Sequence, residues 1–395
     1  MKKIAFVIPW FYKDIPGGAE MEMKMLAKHL HEDGVDVEIL TTCVKEFSAN
    51  WYENYFEPGE DEYEGMKIRR FPVRVGDAAI FHKINAKFMR GRKVNRREEY
   101  EFLREMVNSD VLEKYIGEHR DEYDKFIFIP YMFGTTYHGL QRCAEKAVLI
   151  PCLHDESYAY MESFKEKFAT VHGMIFHAHP EEELAERLYD LSHVKHAVLG
   201  EGIDTDVTGN GTRFREKFGV KDPYILYAGR KDSAKNIPTL LKYFEEFKKR
   251  NTDGALKNLK LIMIGGGELE IPEGIKGDVL DLGYVDRQDK YDACAGAILL
   301  TQPSKNESFS LVIMESWLCG RPVLVSADCN VTSDFARRTN GGLEFKDYFE
   351  FEQAVLFLGT HEEEARIMGE NGGRYVRENF SWDVIVKKYR DFLEV

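Results

Sequence analysis

The sequence predicts an α/β protein built from two doubly wound domains. Three observations predict it. The chain has 395 residues, and at about 100–200 residues per domain that length points to two domains. Short apolar runs alternate with amphipathic helical patterns over most of the chain. That alternation restarts after about residue 203, and strand–helix–strand repeated twice is the pattern of two parallel-sheet domains.

In the first half, residues 4–11, 35–43, 67–73, 125–132, 148–154 and 174–179 read as strands, rich in Ile, Val and Phe and bounded by polar or turn-forming residues. Their apolarity is continuous rather than alternating, which predicts strands buried on both faces. Between the first two, Ala19, Met23, Leu26, Ala27 and Leu30 recur at helical spacing and Gly34 closes the helix. The opening Met1-Lys2-Lys3 and the apolar run after it resemble a targeting leader. Pro9 interrupts the run, Lys13 and Asp14 follow, and no small-residue cleavage site closes it. It reads as the first strand instead.

In the second half, residues 224–229, 259–265, 279–285, 297–301 and 322–326 are strand candidates, with helices over 237–247, 311–318 and 363–376. Residues 200–212 carry four glycines and are the expected hinge. The domains are placed at 1–200, with residues 377–395 returning to them, and at 201–376.

Hydrophobic residues make up 44% and charged residues 31% of the chain, an ordinary globular balance. The net charge of -14 disfavours a nucleic-acid binder and favours solubility. The six cysteines show neither a CxxC pair nor zinc-type spacing with His, so they read as reduced thiols in a cytosolic protein. No stretch approaches the roughly 20 apolar residues of a membrane span.

One segment breaks the rhythm. Lys83, Lys87, Arg90, Arg92, Lys93, Arg96 and Arg97 cluster without an acid, interleaved with Ile80, Phe81, Ile84 and Phe88. It reads either as a surface for anionic lipid heads or an anionic acceptor, or as a solvated face balanced by Glu98, Glu99 and Glu101.

The residues that could carry chemistry sit between strands and helices. Glu307-Ser308-Phe309-Ser310-Leu311 follows a strand and opens a helix, a place where free backbone N–H groups favour phosphate. Glu307 and Glu315 would lie about 12 Å apart along the axis if one helix held both. A glycosidase pair needs roughly 5–9.5 Å. The separation suits two grips on the hydroxyls of one long ligand. Arg230 and Lys235, in Gly229-Arg230-Lys231-Asp232-Ser233-Ala234-Lys235-Asn236, lie on another strand-to-helix loop and could hold a diphosphate. Gly17-Gly18-Ala19-Glu20 and Gly265-Gly266-Gly267 are weaker signals, since any tight turn uses glycines. His154-Asp155 ends a predicted strand, and His154 could donate to a sugar hydroxyl. No metal-binding His cluster, nucleophile elbow or P-loop is present.

Taken together these residues resemble family 4 of the retaining glycosyltransferases, which have the GT-B fold. The matching pieces run in the family's order over nearly the whole chain. They are Gly17-Gly18-Ala19-Glu20, His154-Asp155, Glu201-Gly202-Ile203-Asp204, Gly229-Arg230 with Lys235-Asn236, the Glu-x7-Glu run from Glu307 to Glu315, and Phe380-Ser381-Trp382. The resemblance implies two Rossmann-like domains facing a central cleft, with a last helix crossing back to the first domain. It implies Gly17 and Gly18 against the donor diphosphate or acceptor, His154 facing the transferred sugar, and Arg230 and Lys235 on the diphosphate. Glu307 would bind sugar hydroxyls, with Phe309, Ser310 and Leu311 contacting sugar and phosphate through their backbone. Glu315 would bind the ribose, and Tyr284 and Val285 would line the base.

It further implies transfer of a hexosyl unit from a nucleotide diphosphate sugar, UDP-linked before GDP-linked, to a glycan or lipid-linked acceptor, without metal or other cofactor. The expected location is the cytoplasm, with the inner membrane face as a place of contact. Two departures stand out. Ser308 and Ser310 occupy positions usually held by Gly, and His177-Ala178-His179-Pro180 stands where a Ser is common. A nucleotide-sugar epimerase on the same fold and a non-catalytic sugar-nucleotide binder are the alternatives.

Overall fold

The computed structural model describes residues 2–15 and 17–395. They divide into two units, one reaching to Gly202 and including Trp382–Val395, the other spanning Ile203–Ser381.

The strands of the first unit are β1 (Lys3–Ile8), β2 (Asp36–Thr42), β3 (Gly59–Tyr63), β4 (Met66–Phe71), β5 (Lys125–Phe128), β6 (Ala147–Leu149), β7 (Gly173–Phe176) and β8 (Lys195–Val198). They make one sheet in the order β3-β4-β2-β1-β5-β6-β7-β8. Every neighbour pairing is parallel except β3 on β4. The helices are α1 (Gly18–Glu32), α2 (Ala78–Met89), α3 (Arg96–Glu105), α4 (Asp110–His119), α5 (Gly134–Leu140), α6 (Glu162–Phe168) and α7 (His179–Leu188). Ile4 to Ile8 are fully buried, as continuous apolarity predicts for a strand covered on both faces.

The second unit begins with α8 (Gly211–Phe218). It continues through β9 (Tyr224–Ala228), α9 (Ile237–Arg250), β10 (Lys260–Ile264), β11 (Val279–Asp281), α10 (Arg287–Gly296) and β12 (Leu300–Gln302). Then come α11 (Leu311–Leu318), β13 (Val323–Ser326), α12 (Asn330–Thr339), β14 (Gly342–Phe345), α13 (Tyr348–Thr360) and α14 (Glu362–Phe380). Its sheet is parallel in the order β11-β10-β9-β12-β13-β14.

Helix α15 (Trp382–Leu393) belongs to the first unit. The Trp382 ring stacks on His29 of α1 at 4.1 Å, and a Cβ on Gly202 would lie 2.3 Å from that indole. Helix α14 runs on past residue 376, where the sequence pattern ended it, to Phe380. Gly372 lets the Trp317 ring lie against its backbone, since a Cβ there would come within 2.2 Å of the ring.

Three strands escape the sequence pattern. β3 reads Gly-Glu-Asp-Glu-Tyr and is an exposed edge, where charge blunts further pairing. Its Glu60 pairs with Arg69 of β4 at 2.7 Å. β8 and β14 are short edges of partly exposed residues. The predicted strands at 125–132, 148–154 and 174–179 overrun instead. Ile129, Ile150 and Leu153 are buried beyond the strand ends, so apolarity continues into loops that pack as tightly as the sheet.

Candidate functional site

In each sheet one central strand has its successors on one side and a later strand on the other. In the second unit, β10 and β11 extend from one edge of β9, and β12 returns to the other. Ligands of open α/β sheets gather at such a reversal, outside the carboxyl ends of the strands. The loops after β9 and β12 meet there. Lys235 Nζ donates to Glu307 Oε1 at 2.6 Å, with 24% and 12% of the two side chains exposed. Asn236, at the start of α9 with φ 58, donates through Nδ2 to the Pro303 carbonyl at 3.1 Å.

Backbone hydrogen bonds join the neighbouring loops. Lys231 N donates to the Gly266 carbonyl at 2.8 Å, and Gly265 N to the Gly283 carbonyl at 2.8 Å. The three glycines after β10 therefore serve packing. A Cβ on Gly265 would lie 2.1 Å from the Gly229 carbonyl, and one on Gly266 2.4 Å from the Tyr284 hydroxyl.

Arg230 is exposed and lies 3.6 Å from Asp232, while its carbonyl accepts from the buried Tyr227 hydroxyl at 2.5 Å. Its neighbour Lys231, which the sequence reading passed over, is 3% exposed and is ion-paired with Asp281 at the end of β11. A charged residue beside a glycine gives no sign of its burial, so only the packing reveals which of the two cations is open to a ligand. Tyr284 is 81% exposed and Val285 is half-buried.

Glu307 and Glu315 do not share a helix. Glu307 lies in the loop, Ser310 takes φ 83, and α11 starts only at Leu311. The rise of about 12 Å therefore does not measure their separation. Glu315 is buried on α11 and accepts from Lys290 of α10 at 2.6 Å. Phe309 is 2% exposed and packs on Phe335 and Phe380 with centroids 5.5 and 4.9 Å away. Its ring is core. A helix start leaves its first N–H groups without intrahelical partners, and no side chain caps α11.

In the first unit, Gly17 takes φ 123 and Gly18 begins α1. A Cβ on Gly17 would meet the Glu20 carboxylate at 2.0 Å, and that carboxylate accepts from Trp10 Nε1 at 2.5 Å. His154 stands in the loop beyond β6 rather than at the strand's end, with Nδ1 3.9 Å from Glu156. Glu156 also accepts from the Tyr131 hydroxyl at 2.9 Å.

Behind this loop lies a buried polar cluster that the sequence reading did not assemble. His177 Nε2 is 2.5 Å from Glu22 Oε1. Glu181 accepts from the backbone N–H groups of His177 and Leu153, each at 2.6 Å. Burial works against the His177 imidazolium, but the Glu22 and Glu181 carboxylates outweigh it and raise its pKa to about 10. Burial raises Glu181 to about 7. Donor atoms of Glu22, Cys152 and His177 lie within 4.8 Å of one another. They are the metal-type donors brought together among the described residues, and the pair Glu22–His177 already joins two of them. The three residues come from α1, the loop after β6 and the end of β7, so no sequence spacing reveals them.

The basic segment is not one helix. α2 ends at Met89 and α3 begins at Arg96, with Asn95 and Glu98 forming a capping box. Phe81, Ile84 and Phe88 turn into the core. Lys87 pairs with Glu98, Arg96 with Glu166, and Arg97 with Glu101. Lys83, Arg90, Arg92 and Lys93 are exposed. Arg92 and Lys93 line a cavity of about 580 Å³ together with Asp155, Glu156 and Tyr160. No helix among the described residues is long and apolar enough to cross a membrane.

Residues 211–375 match the family model of glycosyl transferases group 1. An uncharacterized glycosyltransferase of Methanocaldococcus jannaschii is 23% identical, over 100% of this chain and 99% of that protein. The D-inositol 3-phosphate glycosyltransferase of Xylanimonas cellulosilytica is 27% identical over 63% of this chain and 62% of its own length. Among solved structures, sucrose-phosphate synthase from Thermosynechococcus elongatus superposes with a TM-score of 0.73 at 17% identity, covering 100% of this chain and 98% of that one. Anabaena HepE in complex with UDP and glucose superposes with a TM-score of 0.68 at 13% identity, with 100% of both chains covered. The fold is GT-B, and the family match and relatives support a glycosyltransferase.

Proposed function

We propose that this chain is a retaining hexosyltransferase acting on a nucleotide diphosphate sugar, a UDP-sugar first and a GDP-sugar next, with a glycan or lipid-linked acceptor. One observation carries the reading: Lys235 and Glu307 meet at 2.6 Å at the reversal point of the second sheet. A cation and a carboxylate held together there are suited to a ligand with phosphate at one end and hydroxyls at the other. The phosphate takes Lys235, and the released Glu307 carboxylate accepts from the sugar hydroxyls. Arg230 supplies a second, exposed cation, and the start of α11 supplies N–H groups to the same diphosphate.

The chemistry then needs no protein nucleophile and no metal. The bond from the anomeric carbon to the diphosphate oxygen breaks while the acceptor oxygen bonds to the same face of that carbon. The acceptor's proton passes to the departing phosphate oxygen. Rate acceleration comes from positioning and from charge stabilisation at the phosphate. Glu315 grips the ribose and Tyr284 and Val285 border the base; in the first unit, Gly17 and Gly18 suit the donor diphosphate or the acceptor, and His154 suits the transferred sugar. Arg92 and Lys93, beside the loop that carries Asp155 and Glu156, suit an acceptor linked through phosphate. Exposed Lys83, and Arg90 next to Met89 at 74% exposure, suit contact with an anionic membrane face from the cytoplasmic side.

A thermal-shift screen against UDP-, GDP-, ADP- and dTDP-sugars tests the donor, because a ligand bound only by the native state raises its stability. A shift of several degrees with one ribonucleotide sugar, and the smallest with the dTDP-sugar, is expected. No shift with any of them would remove the donor assignment. Incubating the tightest donor without acceptor separates transfer from epimerisation, since only an epimerase would convert the sugar alone.

A further inference from the structure

Glu315 is a buried carboxylate on α11, and it is not alone. Its Oε1 accepts from Nζ of Lys290 on α10 at 2.6 Å, with 10% of the Glu315 side chain and 25% of the Lys290 side chain exposed. A buried carboxylate without a cation is costly and gives up its charge by taking a proton. Burial disfavours the Lys290 ammonium, and the Glu315 carboxylate outweighs that and raises its pKa. The two side chains therefore face each other at ion-pair distance. With Oε1 occupied, the carboxylate keeps Oε2 as an acceptor, and the ammonium keeps two further N–H donors.

We propose that Lys290 is a specificity-determining positioning residue. It fixes one oxygen of Glu315 and orients the second toward the hydroxyls of a ribonucleoside diphosphate, so that the pair distinguishes ribose from deoxyribose. The proposal rests on the nucleotide-sugar reading above and adds a residue to it. A hydroxyl donating to an ionised, pre-oriented carboxylate makes a bond about twice as strong as a neutral one. A site built to accept a hydroxyl rejects the analogue that lacks it, because the buried acceptor is left unpaired. Lys290 thus acts through Glu315 and not on the reacting centre.

Calorimetry tests this on the full chain with UDP, GDP and ADP. The one that binds tightest is then compared with its 2′,3′-dideoxy analogue, on wild type, Lys290→Met, Lys290→Arg, Glu315→Gln and the double variant Lys290→Met/Glu315→Gln. Wild type is expected to prefer the ribonucleotide by roughly ten- to a hundredfold. Lys290→Met is expected to abolish most of that preference while changing dideoxy binding by about twofold or less. Lys290→Arg should restore part of it, and the double variant should be no worse than Glu315→Gln. A Lys290→Met protein that weakens both ligands equally, or keeps the full preference, overturns the proposal. A wild type that binds the nucleotide without ribose preference overturns it too, while leaving the nucleotide reading standing. A wild type that binds no nucleoside diphosphate overturns that reading and the proposal with it.

Discussion

Lys235 and Arg230 sit on one short loop but in different states. Lys235 is half-buried against Glu307, whereas Arg230 has 66% of its side chain exposed. Lys235→Ala removes the proposed phosphate partner and also leaves Glu307 without its cation, so it should cost more than Arg230→Ala. Each loss of a charge-stabilising donor is expected to lower kcat about 10²–10³-fold, measured with saturating donor, and near-wild-type rates in both would remove these residues from the site. Ser310 offers a second test. Its φ of 83 places a side chain where L-residues are strained, a cost of about 1–2 kcal/mol. Glycine's greater loss of freedom offsets part of it. Ser310→Gly should therefore raise stability by about 0.5–1 kcal/mol in denaturant unfolding; a drop would mean that the 3.4 Å contact from Gln302 to the Ser310 hydroxyl outweighs the strain.

At the scale of elements, the buried cluster ties three pieces of the first unit together: α1 through Glu22, the loop after β6 through Leu153 N, and α7 through Glu181. It holds the segment that carries His154 against the sheet. Folding raises the His177 pKa from 6.5 to about 10, so the folded protein keeps a proton that the unfolded chain releases. Its contribution is complete below about pH 6.5 and is lost as pH rises to about 10. Glu181, raised from 4.5 to about 7, has the same sign in a lower window. Stability should therefore fall between pH 7 and 10, and His177→Gln should flatten that part of the profile. An unchanged slope in the variant would show that other groups set it.

For the whole molecule, the same logic is used twice. Each sheet reverses beside a central strand, and each places glycine-bearing strand-to-helix loops at the carboxyl ends of its strands. The product of the proposed reaction should keep the donor's anomeric configuration, read by the proton coupling at the anomeric carbon. Inversion would exclude the same-face displacement. Four of the exposed cations of the basic segment, Lys83, Arg90, Arg92 and Lys93, give a second prediction at this scale. Changing all four to Gln should weaken sedimentation with anionic vesicles, with a steep salt dependence in the wild type. Equal sedimentation would place membrane contact elsewhere or nowhere.

The sequence by itself determined the α/β class, the central strands, the order of strand-to-helix loops and the residues on them. Continuous apolarity and glycine placement are local signals, and parallel sheets make them strong. It did not reveal the edge strands β3, β8 and β14, because edges carry charge or short mixed runs that look like loops. It did place the start of α11 at Leu311, although the left-handed Ser310 before it leaves no mark on the pattern. Tertiary structure alone decided which charges meet. Lys231 is buried while Arg230 is open, Lys290 reaches Glu315, and Glu22 reaches His177. Those pairings join residues 25 and 155 positions apart in the last two cases, and only the packing of helices and loops around an open sheet brings such residues within hydrogen-bond reach.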